Sequence, residues 1–316
     1  MAQTPPELEL VCAEFNPALA LLRGLGLRLD LIFPADDPHT AVLSKDGTRV
    51  RLTSRPDAPP ASAALPEFKP EFVVTHAGNA AGEGRAGMLY RDLIPSRLGG
   101  RYIASHIMIG EGGPVADWVH YHRIAFQLIC VRRGWVRVVY EDQGPPFLMA
   151  EGDMVLQPPG IRHRVLESSA GLEVVEVTCP AAHETFADHE LALPNDAPAA
   201  RDYEGQHFLH HVAAATSWAP WHGAEAQETA VAAATRGRAE ARIVRPGLFP
   251  ALELPPHGGE LVFGFLLEGA AQLECEGAHS LGPADAFTIP PGEPWRLGEM
   301  SADLRLLLIT TAHIPG

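Results

Sequence analysis

One set of turns is written twice in this chain. Gly134, Gly152-Asp153 and Pro158-Pro159-Gly160 are followed, in the same order, by Gly269, Ala284-Asp285 and Pro290-Pro291-Gly292. The intervals between them are short and apolar, as at 102–109, 124–131, 135–140, 154–157, 165–167, 172–177, 261–267 and 271–274. Gly and Pro at this density stop helices and central strands, so these intervals read as short strands of an all-β sandwich or barrel. Two passes of one pattern describe two tandem units of one fold.

The first unit carries His120-Tyr121-His122, then Gln127, and His163 just beyond Gly160. Alternate residues of a strand share a face, so His120 and His122 point inward with Tyr121 outward, while Gln127 and His163 arrive from neighbouring strands. Such a set describes a barrel holding one divalent transition metal (Fe, Mn, Ni or Zn). Three imidazoles and an amide oxygen leave coordination positions for water and substrate, a catalytic rather than a closed arrangement. Gln127 is neutral, which leaves the ion a stronger Lewis acid than a carboxylate would. Alternatively, Gln127 points at the ion without binding it, and the site has three histidines. In the second unit the matching positions are Pro255, His257, Val262 and Trp295, so that barrel is expected to pack and dimerise rather than bind metal.

Other residues are candidates by position. His106, on the strand 101–109, is placed to enter the cavity as a general acid or base. Of the arginines near the first unit, Arg123, Arg162 and Arg164 should face outward by alternation. That leaves Arg101 or Arg97 to anchor a substrate carboxylate. Glu176 is placed to orient a ligand histidine from behind. His183 and the later histidines read as surface or interdomain residues.

His120, His122, Gln127 and Gly134 resemble the first signature motif of the cupin superfamily, and Gly152, Pro158, Gly160 and His163 resemble the second. Gln127 stands where that family usually has Glu, and Glu167 replaces the closing Asn. The resemblance implies a mainly β fold of two tandem cupin barrels (double-stranded β-helix, jelly-roll) behind a small N-terminal α+β module. The module, 1–55, reads as βαβββ and is similar to one unit of the glyoxalase/vicinal-oxygen-chelate fold. A Pro/Ala-rich linker (56–71), barrel 1 (72–194) and barrel 2 (195–316) complete the expected domains. Cupin relatives include dioxygenases, isomerases, lyases, cyclases and decarboxylases. The leading expectation is a dioxygenase-type enzyme on a small oxygen-chelating substrate, aromatic, enolic or dicarbonyl. The alternatives are non-redox isomerase, lyase or cyclase chemistry, or a bicupin that binds a small molecule without catalysis.

Composition narrows the partners. With 24 basic against 39 acidic residues the formal charge is -15, which repels phosphate backbones and anionic lipid. No nucleic-acid or membrane partner is expected. The four cysteines are widely scattered without a C-x-x-C pair, and the N-terminal residues lack the basic start and apolar run of a signal peptide. A cytoplasmic protein, associating as a homodimer by edge pairing or face packing of strands with apolar outer faces such as 261–267, is expected.

Overall fold

The structure, a computed structural model, describes residues 7–58, 64–83, 88–196, 201–249 and 251–314. Strands that are apolar at every second place must bury one face, and closely spaced turns fold them into facing sheets. In the first barrel, one sheet contains Thr185–Ala187, His120–His122, His163–Ser168, Trp135–Tyr140 and Phe147–Ala150 in that order. Facing it are Leu209–His211, Met154–Leu156, Phe126–Arg133, Leu172–Cys179, Ile103–Ile109, Leu89–Asp92 and Gly82–Glu83.

The second barrel repeats the plan. A seven-stranded sheet of Ala219–Trp221, Ala224–Glu228, Ala239–Arg245, Arg305–Thr311, Leu261–Glu268, Ala286–Ile289 and Val73–Thr75 faces a four-stranded one of Leu252–Leu254, Trp295–Gly298, Ala271–Glu274 and Ala278–Leu281. Its turns are built as those of the first. Asp153 Oδ2 accepts from Ala150 N, as Asp285 Oδ2 does from Gly282 N. Ser169 Oγ accepts from Trp135 N, as Ser301 Oγ does from Ala270 N. Gly134 and Gly269 precede these bonds at φ 78° and 73°, and a Cβ on them would lie 2.3 Å from Ser169 Oγ and 2.6 Å from Leu304 Cα. Only glycine meets both the dihedral and the space.

The two seven-stranded sheets stack back to back. Phe126, Leu128 and Val177 of one meet Ile243, Phe263 and Phe265 of the other in a single buried cluster. Each such side chain contributes about 1.5–3 kcal/mol when fully buried. The apolar outer face of 261–267, expected to serve a dimer, is therefore covered within the chain.

Strands also cross between the barrels. Val73–Thr75 pairs with Ala286–Ile289 of the second barrel, and Leu209–His211 pairs with Met154–Leu156 of the first. The expected borders at 72 and 195 consequently assign each exchanged strand to the wrong sheet. Within the expected linker, residues 59–63 lie outside the described residues, whereas Leu65 and Phe68 pack against the shared core. Residues 197–200, at the second border, also lie outside the described residues.

The N-terminal residues have the βαβββ order: Glu7–Val11, the helix Phe15–Gly24, Arg28–Phe33, Thr40–Lys45 and Thr48–Thr53. Asp46 and Gly47 both have positive φ, 49° and 80°, as a tight two-residue hairpin turn requires. This unit is not separate from the first barrel. Arg28–Phe33 pairs with Thr185–Ala187, so its four strands, together with the short Gly113–Pro114 paired on His163–Ser168, extend the histidine-bearing sheet to ten strands. No helix among the described residues is long and apolar enough to cross a membrane.

Candidate metal centre

Three short strands bring the histidines together. His120–His122 lies between Thr185–Ala187 and His163–Ser168, with His120 directly opposite His163 and His122 opposite Thr185. The turn at Pro158 to Ile161 delivers His163: Ile161 N donates to Pro158 O, and Gly160 N donates to His122 O. The ring centroids of His120 and His163 are 4.1 Å apart, and each lies 5.2 Å from that of His122. One nitrogen from each ring lies within 4.8 Å of the others, and all three residues are buried.

The orientation of each ring is set by a bond behind it. Nδ1 of His120 contacts Trp118 O at 2.8 Å, Nδ1 of His122 contacts Thr185 Oγ1 at 3.0 Å, and Nδ1 of His163 contacts Ile161 O at 3.2 Å. Carbonyl oxygens can only accept, so Nδ1 carries the proton on His120 and His163, and the Thr185 hydroxyl allows the same on His122. That tautomer leaves Nε2 as the lone-pair nitrogen, the form in which imidazole binds a metal. The donor set fits a divalent transition metal. Behind His120 stands Asp117, whose Oδ1 is 3.5 Å from Nδ1 and whose Oδ2 accepts from Val165 N. Glu176, expected behind a ligand ring, lines the same cavity as the three histidines.

The site opens on a cavity of about 100 Å³. Its walls are mostly aliphatic, with Ile107, Ile109, Ile129, Val136, Val155 and Val174 among them. The polar lining consists of the three histidines, His183, Tyr90, Tyr140, Gln157 and Glu176. Tyr140 is opposite His163 in register, stacks on its ring at 5.3 Å and donates to Gln157 Oε1 at 2.9 Å. Burial, and then the nearby Glu176 charge, push the Tyr140 phenol far above its ordinary value, so it stays protonated. His183 meets His122 edge to face at 5.4 Å. Ala35, on the loop after Arg28–Phe33, also reaches the wall, and next to it Asp36 pairs with Arg97 at 2.6 Å.

Several expected site residues lie elsewhere. Gln127 points into the barrel, but its amide pairs with that of Gln157 at 2.6 Å and it does not line the cavity. Gln157, which does line the cavity, links Gln127 to the site. His106 is on the opposite face of its strand from Ile107 and Ile109, and is held between Arg91 and Glu173 in the seam between barrels. Burial, and then the Arg91 charge, push its ring down to about 4. Arg101 is in the same seam, where it makes a buried two-point contact with Glu260 and also donates to Pro66 O. Neither reaches the cavity. Tyr121 faces outward as expected, stacked on Phe186 with Arg162 over its ring.

Tyr140, Gln157, Asp117 and His183 were missed as site residues. Tyr140 had a signal, since alternation along 135–140 puts Val136, Val138 and Tyr140 on one face. His183 had none, because it follows a turn rather than a strand.

Comparison with known structures agrees with this architecture. The chain resembles a salicylate 1,2-dioxygenase from Pseudaminobacter salicylatoxidans at 16% identity, with a TM-score of 0.56 over 78% of this chain and 86% of that one. The chain folds as a bicupin. Oxalate decarboxylase from Bacillus subtilis is similar at 10% identity, TM-score 0.52, over 82% of this bicupin and 79% of that chain. A putative glyoxylate induced protein from Pseudomonas aeruginosa matches at 13% identity, TM-score 0.55, over 81% and 94%. No protein-family model and no curated protein sequence matches the chain.

Proposed function

We propose that this bicupin is a metal-dependent enzyme, of the dioxygenase type, acting on a small oxygen-chelating substrate in the first barrel. The observation that carries the reading is the convergence of His120, His122 and His163, each fixed from behind through Nδ1. A divalent transition metal held by their Nε2 atoms would supply a Lewis-acidic, redox-capable centre with positions open to substrate oxygens. Around it the chain's own groups have distinct tasks. The aliphatic walls exclude water and pack the substrate's carbon skeleton. Tyr140, held protonated and with its proton given to Gln157 Oε1, presents its phenol oxygen as an acceptor at the cavity wall. Glu176, the one carboxylate lining the cavity among the described residues, would take a proton from a substrate that ionises on binding.

That carboxylate also favours a second reading, non-redox isomerase or lyase chemistry, in which proton transfer at Glu176 is the main event. Oxygen consumption separates the two. The iron-, manganese- or nickel-loaded protein should take up O2 with catechols, hydroxylated aromatic acids or β-dicarbonyls; turnover without uptake favours the non-redox reading. Binding without turnover would leave a small-molecule-binding bicupin. The exposed Leu8, Leu10 and Val11 on the edge strand Glu7–Val11 support the expected homodimer, by edge pairing rather than through 261–267.

A further inference from the structure

The N-terminal unit reaches the histidine site through one side chain. In the helix Phe15–Gly24, Phe15, Ala18, Leu19 and Leu22 recur at three- and four-residue spacing and so share one face. That face packs with Leu29, Ile32, Leu43 and Leu52 of the unit's own strands, and Trp118 of the first barrel joins the same cluster. The Arg23 guanidinium lies 5.9 Å from the centre of the Trp118 ring. Trp118 stands two residues before His120, and its ring is 6.2 Å from that imidazole. Its carbonyl oxygen accepts the Nδ1 proton of His120 at 2.8 Å.

The segment behind His120 is thus gripped from two sides. From the barrel, Val165 N donates to Asp117 Oδ2. From the N-terminal unit, the helix packs on Trp118. The helix in turn has a fixed base, because Arg28–Phe33 pairs Ile32 with Thr185, the residue whose hydroxyl meets Nδ1 of His122. His189 Nε2 donates to Leu29 O at 2.7 Å and ties the chain beyond Thr185–Ala187 to the same strand. Asp36, paired with Arg97 at 2.6 Å, anchors the loop that carries Ala35 to the cavity wall.

Partners that orient a ligand imidazole set its affinity for the ion, and losing one typically costs about 10- to 100-fold. Here the partner of His120 is a backbone oxygen, whose place depends on where the Trp118 side chain is seated. Resting on the metal-site reading above, we infer that the helix Phe15–Gly24 is an outer support of the metal centre and that Trp118 is the positioning residue through which it holds His120. The N-terminal unit is then a working part of the first barrel's site.

Cobalt tests this without turnover, because the visible absorption of bound Co2+ reports the geometry of its ligands. The full chain is titrated with Co2+ against a competing chelator, and the spectrum is recorded at saturation. Trp118→Ala should bind roughly 10- to 100-fold more weakly, with shifted bands. Trp118→Phe keeps an aromatic ring in the cluster and should restore most of the loss. Leu22→Ala trims only the helix face, at a half-buried position, and should shift affinity and spectrum in the same direction by less. Phe287→Ala, in the second barrel, removes a larger buried side chain and should leave both unchanged. Wild-type affinity and spectrum in Trp118→Ala overturn the inference and leave the metal site standing. If Trp118→Ala does not fold, Leu22→Ala decides in its place. A change in Trp118→Ala with none in Leu22→Ala overturns the part assigned to the helix. Equal weakening in Phe287→Ala would reduce the effect to general loss of stability and overturns the inference as well. Failure of the unaltered chain to bind Co2+ overturns the metal-site reading, and this inference with it.

Discussion

In the first barrel the cross-strand pair Ile129 and Val155 lines a cavity; at the matching place in the second barrel the pair is Gly264 and Phe287. The Phe287 ring occupies the space that Gly264 vacates, since a Cβ there would lie 2.2 Å from the ring. Trp295, in the place of His163, packs 5.8 Å from Phe287, and with Val262, Leu266 and Leu297 the two rings fill the interior. The turns of the two barrels are held by the same Asp and Ser bonds. A shared frame therefore accepts either content, and what makes a site is aliphatic side chains too small to close the centre together with three imidazoles at its rim.

The sharpest break in that comparison is metal content. His122→Ala should reduce bound metal from one ion per chain to nearly none, whereas His257→Ala, at the matching place in the second barrel, should leave it unchanged. His257 Nε2 contacts Ile289 O and, among the described residues, joins no His, Cys, Asp or Glu cluster of candidate ligands. Elemental analysis of the two variants decides it. Equal metal loss from both would remove the distinction between the barrels.

Swapping the fillings comes next. Phe287→Ala should cost about 3–5 kcal/mol in denaturant unfolding, because the ring is fully buried and its neighbours cannot collapse onto the space. Val155→Phe should cost only about 1–2 kcal/mol, since its ring enters a cavity that already exists. The same substitution should abolish binding of 2,4-pentanedione while the histidines keep their metal. A cost for Val155→Phe as large as that for Phe287→Ala would mean that the first barrel is as tightly filled as the second.

The seam between the barrels gives a somewhat smaller effect. Arg101 and Glu260 form a buried pair, each about 5% exposed at the side chain, and Tyr102 donates to the same carboxylate. Glu260→Gln leaves Arg101 buried without its counter-charge and should destabilise the chain by about 3 kcal/mol. Because the pair joins the barrels, the unfolding transition should also broaden or split. A single sharp transition at the wild-type midpoint would show that the apolar cluster alone couples them.

Much of this was legible in the sequence because it is local. The paired Gly, Asp and Pro-Pro-Gly turns specify two barrels, and the period of two places His120 and His122 inward with Tyr121 outward. Residues whose partners are remote were not legible. His106 and Ile107 are adjacent on one strand, and only pairing with Leu172–Cys179 decides which of them faces the cavity. Arg101 read as a substrate anchor because Glu260, its partner, lies in the other barrel. The exchanged strands Val73–Thr75 and Leu209–His211 are three residues long, too short to carry a period, and pair with partners far along the chain. Gln127 points inward as alternation requires, but alternation cannot tell that Gln157 would meet its amide first.

The seam also gives the chain a pH dependence of its own. His106 is 4% exposed; its ring accepts from Arg91 at Nδ1 and donates to Glu173 from Nε2, an arrangement that needs the neutral ring. Its folded value is about 4 against 6.5 ordinarily. Above pH 6.5 the ring is neutral in both folded and unfolded chains and adds no slope. As pH falls from 6.5 towards 4, the unfolded chain gains a proton that the folded one refuses, so stability declines, by about 2–3 kcal/mol in all. Although burial pushes the Glu173 carboxyl up, Arg132 and His106 hold it below its ordinary value, so its contribution is lost only at still lower pH. His106→Gln removes the titrating ring. Its unfolding free energy should be nearly flat across that window, while metal content at neutral pH stays at the wild-type level. An undiminished slope in His106→Gln would assign the acid sensitivity to other groups.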